Sequence, residues 1–149
     1  MSVGKILLVE DKPDDVILTK RALKKSEISL DVVIAQDGVE ALEYLRKEGE
    51  YSENDDPLPI FTLLDLKMPR MGGLAFLKHI REDPLLRLIP VVVLTSSREH
   101  KDICECYNLG ANSYIQKPVG FEEFVNMIQI LSRYWIALNI GPRDVGDCE

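Results

Sequence analysis

The chain has 149 residues, of which 46% are hydrophobic and 29% charged, with a formal net charge of −7. That length suits one domain able to bury roughly 70% of its unfolded surface without disulfide or metal staples. The acidity argues against non-specific binding to nucleic acid or anionic membrane, no apolar run approaches the roughly 20 residues of a membrane span, and the acids of "MSVGKILLVED" come too early for a signal peptide.

"KILLVED" reads as a first strand that ends on Glu10 and Asp11. Pro13 can open a helix whose first turn holds Asp14 and Asp15, carboxylates that complement the helix dipole. Leu18, Ala22 and Leu23 supply its apolar side. "LDVVIA" is a second strand, and "GVEALEYLRKEG" a second helix with Val39, Leu42 and Leu45 on one face. An acidic, proline-containing loop, "EYSENDDPLP", leads to a third strand, "IFTLLD". "LAFLKHIRED" is a third helix with Leu74, Leu77 and Ile80 in phase, and Pro84 follows its end. "IPVVVLT" is a fourth strand, "EHKDICECYNLG" a fourth helix stopped by Gly110, and "NSYIQ" a short fifth strand. "FEEFVNMIQILSRYW" is the last helix. Cys104, Cys106 and Cys148 are odd in number and show no bridging pattern, which fits a reducing cytoplasm. Cys104 and Cys106, two apart on a helix, face different ways and read as plain side chains. His79 and His100 read as surface residues of their helices.

Strands that are apolar throughout are buried on both faces, as in parallel sheets, and strict alternation with helices builds right-handed crossover units. The expected class is α/β: a doubly wound, five-stranded parallel sheet with helices on both faces. In such sheets ligands gather beyond the carboxyl ends of the strands. Those ends carry Glu10 and Asp11, then Asp65 and Thr95, with Lys117 just past the fifth strand, each a polar residue placed after an apolar run. In the order 2-1-3-4-5, one of two common solutions, strands one, three and four are neighbours. With about 4.8 Å between strands, Asp11, Asp65 and Thr95 fall within roughly 10 Å of one another. The three carboxylates at these ends, Glu10, Asp11 and Asp65, repel, so their pKa values rise or a cation joins them. Hard oxygen ligands with room for water favour Mg²⁺. A carboxylate that can attack phosphorus, a metal, a hydroxyl and an ammonium together form a phosphoryl-transfer set.

The motifs "LLVED", "LLDLKMP", "VVVLTSS" and "SYIQKP" occur in that order, and over about residues 4 to 134 the sequence resembles the receiver domain of two-component response regulators. The resemblance implies the flavodoxin-like strand order 2-1-3-4-5. It implies that Asp65 is the phosphoacceptor, Asp11 a direct Mg²⁺ ligand, Glu10 a ligand through water, and the carbonyl of Lys67 a third protein ligand. Lys117 would pair with the phosphoryl group, Thr95 would bond one of its oxygens, and Tyr114 would be the aromatic rotamer partner of Thr95. Ser96 is small, as a close backbone approach to that group requires, while Lys67 and Ser97 hold the two positions that tune dephosphorylation. Pro118 resembles a proline whose bond to the preceding lysine is often cis. One departure stands out: Gly72-Gly73 replaces the usual Asp-Gly and so removes a capping carboxylate from the third helix.

Rival chemistries fit less well. A phosphatase of the dehalogenase type needs an acid at position 67, where Lys67 stands. An FMN-binding flavodoxin needs a Ser/Thr/Gly phosphate loop after the first strand, where Glu10-Asp11 would repel phosphate. A receiver-like module that binds partners without phosphorylation keeps the fold but usually loses an acid or the lysine.

The expected organisation is a receiver over residues 1–136 and a tail over 137–149, too short for a DNA-binding output module. Such a stand-alone receiver catalyses its own phosphorylation and dephosphorylation but turns over no separate substrate. The acidic loop and Tyr134-Trp135 resemble single-domain regulators associated with phytochrome-type histidine kinases, so a sensor histidine kinase is the expected partner. In the last helix Phe121, Phe124, Val125, Ile128, Leu131 and Trp135 form a core stripe. Met127, Ile130 and Tyr134 form a second, which implies a homodimer, a partner protein, or the tail folded over it.

Overall fold

The computed structural model describes residues 4–26 and 30–142. Expectations for residues 1–3 and for the tail from 143 onward, Cys148 included, lie outside the described residues. Strands β1 (Lys5–Val9), β2 (Asp31–Ala35), β3 (Phe61–Leu64), β4 (Val91–Thr95) and β5 (Ser113–Gln116) form one parallel sheet in the order β2-β1-β3-β4-β5. Between and after them run α1 (Pro13–Lys25), α2 (Gly38–Arg46), α3 (Gly73–Glu82), α4 (His100–Asn108) and α5 (Phe121–Ser132). A 3-10 turn, Gly49–Tyr51, follows α2, and a π-helical turn, Arg133–Leu138, extends α5.

The apolar strands divide their side chains between two cores because successive residues point to opposite faces. Leu7 and Val9 of β1 join Leu64, Val91, Val93 and the α2–α4 side chains Leu42, Phe76, Ile80 and Cys106. Ile6 and Leu8 join Phe61, Leu63, Val92, Leu94 and, from α1 and α5, Ala22, Leu23, Phe124 and Ile128. The backbone ends of the helices follow local chemistry. Asp37 caps α2, its side chain accepting from the Glu40 amide at 2.9 Å. Gly110 closes α4 at φ +95°, a left-handed conformation disfavoured for other residues. Gly72 precedes α3 without a side-chain cap, as the missing carboxylate implies.

Three details differ from the sequence reading, and the isomer of the Lys117–Pro118 bond, which the sequence left open, is settled. Phe76, not Leu74, leads the buried side of α3; Leu74 is half-buried. Phe121, the first residue of α5, is 46% exposed and has the Lys25 ammonium 5.4 Å from its ring centroid, while Phe124 and Val125 of the same turn are buried. Met127 is half-buried and packs on the β1–β3 core, so the outward stripe of the last helix is Ile130, Tyr134 and Leu138, at 61%, 48% and 67% exposure. Among the described residues no peptide bond is cis, so Lys117–Pro118 is trans.

At the N-terminal edge of the sheet one side chain ties several segments together. Arg81, at the end of α3, donates to the carbonyls of Gly110, Arg87 and Ile89 at 2.9, 2.8 and 2.8 Å and to Asn112 Oδ1 at 2.9 Å. Asn112 Oδ1 also accepts from the Val91 amide at 2.8 Å, which joins α3, the end of α4 and the start of β4.

Candidate functional site

The sheet ladder itself delivers the polar residues to one place. Val9 pairs with Leu64 and Leu64 with Val93, so the residues after β1 and β3 leave the sheet side by side. The Asp65 amide still donates to Val9 O at 3.0 Å, the Glu10 amide to Ala35 O at 2.9 Å, and the Lys117 amide to Thr95 O at 2.7 Å. Glu10, Asp65 and Thr95 are buried although polar. Carboxylate oxygens of Glu10, Asp11 and Asp65 lie within 4.8 Å of one another.

The turn after β3 is held from two sides. Asp65 Oδ1 accepts from the Leu66 amide at 2.9 Å. The amide of Gly73 donates to Leu66 O at 2.9 Å, and a Cβ on Gly73 would stand 2.4 Å from the Asp65 carbonyl oxygen, so only glycine fits there. Arg70, at φ 60°, grips Asp37 through two bonds of 2.7 and 3.2 Å, and the Gly38 amide donates to Met71 O at 2.9 Å. The loop bearing Asp65 is therefore clamped to the start of α2.

Lys117 reaches into the acids from β5. Its ammonium lies 2.6 Å from Glu10 Oε1, 2.8 Å from Asp15 Oδ2 and 4.0 Å from Asp65 Oδ2. Burial alone would depress its pKa, but the hydrogen bonds to Asp15 and Glu10 prevail and the net shift is upward, so the lysine is charged. Burial, reinforced by the charge of Asp65, pushes Glu10 up to about 7 against the pull of Lys117. Asp11 Oδ1 and Asp65 Oδ2 are buried with no hydrogen-bond partner. Two orphaned, hard carboxylate oxygens at the meeting point of three acids are what a divalent cation would satisfy.

Beyond the acids, Thr95 Oγ1 sits 3.5 Å from the Ser97 amide, and Tyr114, half-buried, donates its hydroxyl to Ser97 O at 2.9 Å. The Ser97 hydroxyl bonds Asp102 of α4 at 2.5 Å and accepts from the Glu99 amide at 3.2 Å. Ser96 is exposed, its carbonyl 3.5 Å from Gln116 Nε2. Lys67 is exposed and Pro118 half-buried. The structure thus gathers Glu10, Asp11, Asp65 and Lys117, with Thr95, Ser97 and Tyr114 as a second chain of contacts toward α4. Sequence reasoning did not single out Asp15, Asp37, Arg70 or Asp102 for the site. Asp15 lies in the first turn of α1, just after the strand end that carries Glu10 and Asp11, which is the signal that could have marked it.

Comparison with known proteins finds similarity to response regulators. Residues 6–129 match the response regulator receiver domain. The chain is 37% identical over 131 residues to response regulator Rcp1 of Synechocystis, covering 88% of each. The manganese-bound form of Rcp1 superposes with a TM-score of 0.86 at 36% identity, covering 93% of this chain and 99% of that one. The phosphorylated cyanobacterial phytochrome response regulator RcpA superposes with a TM-score of 0.87 at 38% identity, covering 93% and 98%.

Proposed function

The chain belongs to the family of response regulator receiver domains, and we propose that it accepts a phosphoryl group on Asp65 from a sensor histidine kinase, with Mg²⁺ as cofactor, and so switches its protein contacts. The observation that carries this is Asp65 Oδ2: buried, unpartnered, among two further acids and 4.0 Å from a charged lysine. In the proposed step an Asp65 oxygen forms a bond to phosphorus as the P–N bond to the donor histidine breaks, and the electron pair goes to the imidazole nitrogen. Asp11 directly, Glu10 through water and the Lys67 carbonyl would hold the Mg²⁺, which when bound supplies charge against the phosphoryl oxygens. Asp65 positions its oxygen, and Lys117 neutralises one phosphoryl oxygen. Thr95 and the Ser96 backbone receive the others, and Lys67 and Ser97 flank the path of the water that later removes the group. Pro118 ends β5 and orients the lysine before it.

Readout follows the second chain of contacts. Movement of Thr95 toward the phosphoryl group disturbs Ser97, whose carbonyl holds Tyr114 and whose hydroxyl holds Asp102. RcpA is described as a phytochrome response regulator, which supports a phytochrome-like kinase as the donor. In this reading residues 1–136 form the receiver, 137–149 a tail, and the site of action is the cytoplasm. Among the described residues no helix is long and apolar enough to cross a membrane. Self-association through Ile130 and Tyr134, with Met127 beneath them, is supported by their exposure on the last helix. Intact mass after incubation with Mg²⁺ and a small phosphodonor tests the central claim: wild type gains one phosphoryl group, and an Asp65→Asn protein that gained it equally would refute it. Sedimentation tests the second: Ile130→Glu is expected to be a folded monomer, and a wild type that stays monomeric at high concentration removes the dimer.

A further inference from the structure

Lys117 is bonded to two carboxylates, and neither is the group it serves in the proposed reaction. One of them, Asp15, lies on α1, 102 residues away in sequence. The ammonium has three protons to give. Glu10 and Asp15 take it at 2.6 and 2.8 Å, while Asp65 stands at 4.0 Å, outside hydrogen-bonding distance. The backbone that carries Asp15 is held in its helical turn, its carbonyl accepting from Thr19 Oγ1 at 2.8 Å with Thr19 buried. Asp14, the neighbouring acid of the same turn, is exposed, so the contact is specific to one of the two. A cation drawing Glu10 away would leave Asp15 as the remaining holder of the lysine.

We propose that Asp15 is a positioning residue that holds the Lys117 ammonium back from Asp65, so that phosphoryl oxygens must compete with a fixed carboxylate for it. The inference rests on the Asp65 reading and deepens it. The barrier to phosphorylation then includes pulling the ammonium off α1, and the phosphorylated protein loosens the first turn of that helix.

Phosphorylation by a small phosphodonor with Mg²⁺ is expected to run roughly three- to tenfold faster in Asp15→Asn, the weight of one charge-assisted hydrogen bond at a partly exposed site. Asp15→Glu is expected to return the rate toward wild type. Asp14→Asn removes the same charge from the same turn and is expected to leave the rate unchanged. A second measurement needs neither metal nor phosphodonor: competitive acetylation of the metal-free protein, read at Lys117 by peptide mass. Acetylation there is expected to rise several-fold in Asp15→Asn and to stay at the wild-type value in Asp14→Asn. Equal acetylation of Lys117 in the two variants, an Asp15→Asn rate no faster than wild type, or the same acceleration from Asp14→Asn would overturn the proposal. If wild type itself gains no phosphoryl mass, the Asp65 reading falls, and the acetylation comparison still decides whether Asp15 holds Lys117.

Discussion

The two edges of the sheet keep their polar groups in opposite states. At the N-terminal edge the Arg81 guanidinium is spread over three carbonyls and one amide oxygen at 2.8–2.9 Å, so one cation satisfies many neutral acceptors. Burial lowers its pKa, yet a guanidinium keeps its charge there. At the C-terminal edge three acids face one lysine, and two carboxylate oxygens stay unpartnered. A satisfied edge contributes stability; an edge with orphaned charge is held by the rest of the fold and stays open to ligands. The same ladder of strands produces both, and the residues just beyond its two ends decide which is which.

Exchanging charge at the two edges should therefore have opposite consequences. The largest effect is functional: Asp65→Asn is expected to abolish phosphoryl gain in intact mass while raising stability by about 1 kcal/mol, because one of the crowded charges is gone. A loss of stability on denaturant unfolding would contradict the picture of an edge under repulsion. Next, Arg81→Ala leaves several acceptors unpaired and is expected to cost about 3 kcal/mol, with phosphorylation of the folded fraction retained. A cost near zero would mean that water replaces the guanidinium and the contrast between the edges is false. Third, Mg²⁺ at a hundredfold excess over its dissociation constant should stabilise wild type by about 2.7 kcal/mol. Asp11→Ala should lose this gain more completely than Glu10→Ala, and equal losses by calorimetry would erase the distinction between direct and water-mediated ligand. The smallest effect lies at Asp37, which ties the start of α2 to the loop bearing Asp65 at the C-terminal edge. Burial opposes its ionisation, but the Arg70 bond and the Glu40 amide prevail and lower its pKa. A folded pKa below the unfolded value stabilises the protein above about pH 4 and loses that contribution as pH falls through the folded value. Because Arg70 is 59% exposed the contribution is small. Asp37→Asn should flatten the acid limb of the denaturation midpoint, and an unchanged limb would assign it to other carboxylates.

The readable part of the site was the part written at strand ends. Glu10, Asp11, Asp65, Thr95 and Lys117 each follow an apolar run, and a ladder with one register carries all five to one edge. Asp15 was legible as a first-turn acid but not as a partner of Lys117, since dipole complementarity explains it equally well. Gly73 was visible as half of a Gly-Gly pair; its need to avoid a 2.4 Å contact with the Asp65 carbonyl was not. In the last helix, periodicity marked both apolar stripes, yet it could not tell that Phe121 stays exposed or that Met127 reaches the core.

By itself the sequence determined the class of the fold, the run of five strands and five helices, and which polar residues end the strands. Those features are local, since burial on a pleat or helix imposes its period on neighbouring residues whatever the rest of the chain does. Only the tertiary structure decided the pairings: Lys117 with Glu10 and Asp15, Arg70 with Asp37, Arg81 with Gly110 and Asn112. Each depends on side chains meeting across elements far apart in sequence, 107 residues for Lys117 and Glu10. A pattern of short period carries no information over such a separation, and the packed distance between elements supplies it.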